Sequence, residues 1–135
     1  MVVGAGFDVT PVARVARLVR DHRTALDRIF TLQERVYCAG GPARRRDARY
    51  AAAFAGKEAV LKAIGIGWRS DVHWSEIDTG SIDATGGVRL TGGARRAAEH
   101  QGVTRVIVSV TFTSELGLAA ALAERVAYGW EPDRN

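Results

Sequence analysis

Apolar and polar positions change their spacing partway along the chain, and the change predicts different elements on either side. Residues 1–7 form a short apolar run containing Gly4 and Gly6, which reads as a buried strand that backbone or ligand approaches closely. Thr10 and Pro11 carry the marks of a helix start, as N-cap and first helical position. Val12, Val15, Leu18 and Val19 follow at helical spacing, with arginines on the other faces. Thr31 followed by Glu34 is a capping-box pattern that opens a second short helix. Ala39-Gly40-Gly41-Pro42 breaks the chain, and an alanine-rich third helix is predicted over residues 43–64, stopped by Gly65-Ile66-Gly67.

Beyond residue 67 the period shortens. Residues 72–78 alternate loosely, and Thr85-Gly86-Gly87 suits a hairpin turn between two short strands within residues 81–90. A short helix over residues 93–101 ends at Gly102, and Val106, Val108 and Val110 alternate with Arg105, Ser109 and Thr111 as a half-buried strand. Residues 116–126 leave helix and hairpin strand both open, because their alanines suit one and their place after a turn suits the other. The fold class is α+β: one domain over residues 1–128, with a tail over residues 129–135.

At 47% apolar and 25% charged residues, the chain of 135 residues has the composition of an ordered globular domain. No apolar run approaches the ~20 residues of a membrane span, nor is a secretory leader visible. The lone Cys38 excludes an internal disulfide, which agrees with a cytoplasmic setting. Charge changes the picture more. Residues 1–62 hold 12 basic and 6 acidic residues, whereas residues 63–135 hold 7 and 9. A basic half of this kind attracts nucleic acid, a phosphorylated small molecule or an acidic protein. No DNA- or RNA-reading motif accompanies it, which leaves the latter two.

Chemistry could sit on the third helix. At about 100° per residue, Glu58 and Lys62 share a strip with Ala51 and Ala55, beside a core stripe of Tyr50, Phe54 and Leu61. Two readings stay open there: an ordinary surface ion pair four residues apart, or an acid-lysine shelf above the space two alanines leave. Asp8, at the end of the first strand, is either a turn aspartate or a second carboxylate delivered to the same place. Two carboxylates beside a lysine would make a hard-oxygen site of the kind magnesium uses, with water and phosphate filling its other positions. His22, His73 and His100 are scattered without metal-ligand spacing.

Three segments together resemble the holo-acyl-carrier-protein synthases, the short-chain 4′-phosphopantetheinyl transferases. They are Gly6-Phe7-Asp8-Val9 followed by Arg14, the block Phe54-Ala55-Gly56-Lys57-Glu58-Ala59-x-x-Lys62-Ala63-x-Gly65-x-Gly67, and Val108-Ser109-Val110. Thr31-x-x-Glu34-x-x-Tyr37-Cys38 is a lesser match, and the likeness runs from about residue 2 to residue 126 in family order. The resemblance implies an antiparallel sheet packed against a long helix. It also implies transfer of the phosphopantetheine arm of coenzyme A to a serine of an apo acyl carrier protein. Asp8 and Glu58 would hold magnesium, with Glu58 and Lys62 the catalytic pair; Lys62 would neutralise phosphate charge and help take the serine proton. Gly65, Gly67, Lys57 and Arg49 would serve the coenzyme, and Arg14, Arg17 and Arg20 the acidic carrier, joined by Arg23. Family likeness further implies a homotrimer with sites between neighbours, and no membrane or nucleic-acid partner.

Three positions depart from the family pattern. Ala53 stands where an arginine is usual, Thr111-Phe112 where a Ser-His pair is common, and Gly86-Gly87-Val88 in place of a Gly-x-Pro stretch. Arg44, Arg45, Arg46 or Arg49 could substitute for the lost phosphate partners. The alternative is a repurposed or inactive relative that binds carrier proteins.

Overall fold

Glycine and alanine dominate the surfaces where the long helix crosses the sheet, and that contact organises the molecule. The computed structural model describes residues 1–67, 71–80 and 87–127. Strands β1 (Val2–Pro11), β4 (Arg105–Phe112) and β5 (Leu116–Glu124) form an antiparallel sheet in the order β1-β5-β4. Strands β2 (Ile77–Asp78) and β3 (Arg89–Leu90) make a separate antiparallel pair. The helices are α1 (Val12–Asp21), α2 (Arg23–Ile29), α3 (Leu32–Ala39), α4 (Arg46–Ala63) and α5 (Gly92–His100). The antiparallel sheet packed against a long helix is the architecture expected from the sequence.

The register explains the small residues. Gly6 pairs with Ala121 and Gly4 with Ala123, so these positions share the sheet face beneath α4. A side chain at Gly6 would run into the carbonyl of Ala59, one at Gly4 into that of Ala63, and one at Gly117 into the backbone at Ala51. Main chain thus lies on main chain along most of α4. Replacing Gly6 by alanine is expected to destabilise the fold by about 1–3 kcal/mol through overpacking, measured as a lowered urea midpoint.

Two apolar clusters flank α4. One joins Ala55, Ala59 and Ala63 to the alternating Val106, Val108, Ala119, Ala121 and Ala123 of β4 and β5. The other joins Tyr50 and Phe54 to Val15, Val19, Phe30 and Cys38 from α1 to α3. Phe30 and Tyr50 meet edge to face at 4.9 Å. Among the described residues the outer face of the sheet has no such cover: Phe7 is 60% exposed, Val9 44% and Leu122 43%.

Several expectations change. The first strand continues through Thr10 to Pro11, and α1 begins at Val12 with no side-chain cap. A proline suits that place because β1 is an edge strand, where a missing N–H breaks no ladder. The predicted third helix divides into a 3-10 turn, Ala43–Arg45, and α4. Residues 72–78 hold a 3-10 turn at Trp74–Glu76 before the short β2. Of the ambiguous residues 116–126, Leu116–Glu124 prove to be strand, since their alanines fit the close approach of α4, and the strand stops before Arg125. The capping box at Thr31 and Glu34 forms as read. The turn at Thr85-Gly86 and the tail from Tyr128 lie outside the described residues.

Candidate active site

Asp8, Glu58 and Lys62 meet where α4 overhangs the edge strand. Gly4, Gly6, Asp8 and Thr10 point to one side of β1 by its two-residue period, and the strand runs alongside the last turns of α4. The alanines Ala51 and Ala55 leave no empty shelf; both are fully buried because the sheet fills the space below them. Glu58 and Lys62 instead form the rim of that contact. The Lys62 Nζ lies 3.1 Å from Asp8 Oδ1 and donates to the Phe7 carbonyl at 2.9 Å. Thr10 donates to Asp8 Oδ2 at 2.6 Å, fixing the carboxylate from its other side. Thr10 is a site residue that sequence reading missed, although its two-residue offset from Asp8 was a usable signal.

The Glu58 carboxylate makes no hydrogen bond among the described residues. Burial pushes its carboxyl above the usual range and the Asp8 charge adds to this, against the opposing pull of Lys62 and Arg14. The two acids are therefore close enough to repel. Beside them lies a cleft of about 280 Å³ lined by Glu58, Leu61, Lys62, Val72 and Trp74, among others. Trp74 stacks on Phe54 at 5.1 Å and 25°, and the Arg14 guanidinium lies 5.9 Å over the same Phe54 ring. Arg14, Arg17 and Arg20 lie on the exposed side of α1, opposite the buried Val15 and Val19. Gly65, left-handed at φ +71°, ends α4, and Gly67 lines the cleft.

Two expected coenzyme ligands turn inward. Lys57 is fully buried, 2.8 Å from Glu34, and donates to the carbonyls of Trp74 and Ile77. Burial lowers its pKa, against the raising effect of Glu34. With all three N–H groups engaged, it has none to offer a ligand. Arg49, also buried, directs Nε and Nη2 to the carbonyl of Cys38, at 2.9 and 2.6 Å. It ties α4 to the end of α3. The neighbouring Cys38 thiol is pushed up to about 12, chiefly by burial and then by the Glu34 charge. Cys38 is accordingly expected to resist thiol reagents in the native protein at mildly alkaline pH and to react on unfolding, followed by labelling with and without denaturant.

A larger cavity, about 860 Å³, lies around the other side of α4. The departing positions Ala53, Thr111 and Phe112 line it together with Arg44, Arg45 and Arg49. Arg46 lies elsewhere, in a groove with Arg20 and Arg23. Of the suggested substitutes, Arg44 and Arg45 are exposed beside the vacated positions, while Arg49 forms part of the floor. Glu58 follows Ala53 by five residues, about 140° around the helix, so the cavity and the acid corner face different ways.

The family model of the 4′-phosphopantetheinyl transferase superfamily matches residues 4–115. The holo-[acyl-carrier-protein] synthase of Solibacter usitatus is 38% identical over 127 residues, covering 92% of this chain and 99% of its own. The synthase of Geobacter metallireducens is 33% identical over 129 residues, at 93% and 100% coverage. Among solved structures, holo-[acyl-carrier-protein] synthase from Neisseria meningitidis superposes with a TM-score of 0.75 at 29% identity, covering 93% of this chain and all of that one. The Bacillus anthracis synthase, in complex with CoA (3′,5′-ADP), superposes at 0.71 and 25% identity, covering 93% and 99%.

Proposed function

Because the chain belongs to the 4′-phosphopantetheinyl transferase superfamily, we propose that the corner of Asp8, Glu58 and Lys62 is where it moves the phosphopantetheine arm of coenzyme A onto a serine of an apo acyl carrier protein. What supports this reading is the meeting of an edge-strand carboxylate with an acid and a lysine of α4 beside an open cleft. The serine Oγ attacks the phosphorus that carries the arm, the anhydride P–O bond breaks, and adenosine 3′,5′-bisphosphate leaves. Such a displacement needs positioning and neutralised negative charge more than covalent help.

Asp8 and Glu58 fit magnesium. They are two hard-oxygen donors close enough for the Asp8 charge to help raise the Glu58 carboxyl. A magnesium ion usually takes one or two carboxylates and leaves positions for phosphates and water. Bound there, the ion would supply Lewis-acid stabilisation of the phosphates. Lys62, held between the Phe7 carbonyl and Asp8, points a further N–H outward for phosphate charge. The Glu58 carboxylate lines the cleft without a side-chain hydrogen bond among the described residues, and Lys62 beside it would help take the serine proton.

The exposed arginines of α1 begin at this corner, since Arg14 lies over Phe54, and they suit an acidic carrier. The coenzyme's nucleotide end would find its cations in the cavity of Arg44 and Arg45. A homotrimer joined through the uncovered sheet face would bring one subunit's arginine cavity towards a neighbour's acids. The setting proposed is cytoplasmic; among the described residues no helix is long and apolar enough to cross a membrane. Incubation with coenzyme A, magnesium and an apo carrier protein is expected to add one phosphopantetheine to the carrier's intact mass. Failure with every carrier tried, while a known synthase succeeds alongside, would remove the activity.

A further inference from the structure

The buried pair Lys57–Glu34 is the most heavily bonded polar group among the described residues that the transfer has not used. Its bonds join three segments. Glu34 Oε1 accepts from Lys57 at 2.8 Å and from the Thr79 N–H and hydroxyl at 2.9 and 3.1 Å. Glu34 Oε2 accepts from the Thr31 N–H at the start of α3. The other Lys57 hydrogen bonds go to the carbonyls of Trp74 and Ile77. One charge pair therefore holds the segment from Trp74 to Thr79 against α4 and α3. Both ions are desolvated, which is costly without full hydrogen bonding and makes the arrangement hard to deform once formed.

What that segment presents to the site is Trp74. Its carbonyl is bonded to Lys57, its ring is stacked on Phe54, and its half-buried indole lines the cleft with Glu58 and Lys62. Lys57 precedes Glu58 directly, so the same stretch of α4 carries both the clamp and the acid. We propose that Lys57 and Glu34 are positioning residues for the transfer, acting through Trp74, which they hold as one wall of the reaction cleft. The inference rests on the transferase reading above.

The pair is replaced together, Lys57→Met with Glu34→Gln, because removing one partner alone strands a buried charge. In steady-state transfer assays, this variant and Trp74→Ala are each expected to lower kcat/KM for coenzyme A about tenfold, and Trp74→Phe, which keeps the stack, to stay within about threefold of wild type. Combined, the paired replacement and Trp74→Ala should cost no more than about twofold beyond either alone. Losses that multiply to about a hundredfold would make the pair a general support of the fold and overturn the proposal. Unchanged kcat/KM in a folded Trp74→Ala variant would overturn it as well. Should the paired variant not fold, Thr79→Val, which removes one bond to Glu34 and leaves both charges in place, takes its part: a loss that merges with that of Trp74→Ala supports the proposal, and no loss or one that multiplies with it overturns it. An inactive wild-type chain instead overturns the transferase reading, and this inference with it.

Discussion

Replacing Glu58 by glutamine is expected to lower turnover at least about tenfold, and Asp8→Asn to do the same, while both chains stay folded. Each change keeps the size of the side chain and removes one negative charge from the corner. At Asp8 the Thr10 hydroxyl can still find a carbonyl oxygen, so the strand end keeps its shape. At Glu58 no side-chain hydrogen bond among the described residues is lost. The carboxyl there is raised in the folded state, so its ionised form opposes folding. This opposition is fully present once the pH exceeds the raised value and absent below the ordinary carboxylate range. Glu58→Gln should therefore melt no lower than wild type at neutral pH, and activity and stability should move in opposite directions. Lys62→Ala is expected to cut the rate without unfolding the chain, because its side chain is half exposed. Carrier-modification rates beside thermal melts check all three. Near-wild-type turnover in any one strips that residue of its assigned part.

Phe7→Asp is expected to give a folded monomer with little or no transfer activity. Phe7 pairs with Ala120, and Ala5 beside it pairs with Leu122, so the exposed apolar side chains of β1 and β5 form one continuous face. A charge there is solvated in a lone subunit and costs little, yet buried in an assembly it would have to shed water without a partner. Activity should fall with assembly, because the arginine cavity and the acid corner lie on different sides of α4 and would be supplied by different subunits. Sedimentation velocity and the carrier assay, run on the same sample, decide the matter. A variant that sediments like wild type shows that this face is not the interface. An active monomer would place the whole site within one subunit.

Much of this arrangement was legible in the residues, for local reasons. Thr31 and Glu34 close a capping box that depends on four neighbouring residues, and Gly65 stops α4 through a backbone angle few other residues adopt. The alternation over Arg105–Phe112 follows from one buried sheet face. Most of the misreadings have a different cause, namely partners distant in sequence. Pro11 resembled a helix opening because nothing local reveals that β1 lies at an edge. Lys57 looked like a ligand because its acceptors, Glu34 and the carbonyls near Trp74, lie at least 17 residues away. The helix α2 was missed because it is only seven residues long and its apolar stripe is the single pair Leu26 and Ile29, half-buried against the cluster of Tyr50 and Phe54. Ala55 seemed to leave space only because the strand that fills it was not yet in view.

The glycine-to-carbonyl packing under α4 bears on how such a protein can change over time. Most active centres are spaced by side chains, and a methylene gained or lost in the interior shifts the reacting groups. Here the spacing between Asp8 and the turn bearing Glu58 is set by rigid peptide planes resting on one another. Volume can drift in the cluster around Phe30 and Tyr50, and arginines can migrate around the mouth of the large cavity, without the acids being carried apart. The cations that line the cavity beside Ala53 and Phe112 are then free to be redistributed, while the acid-lysine corner stays where it was.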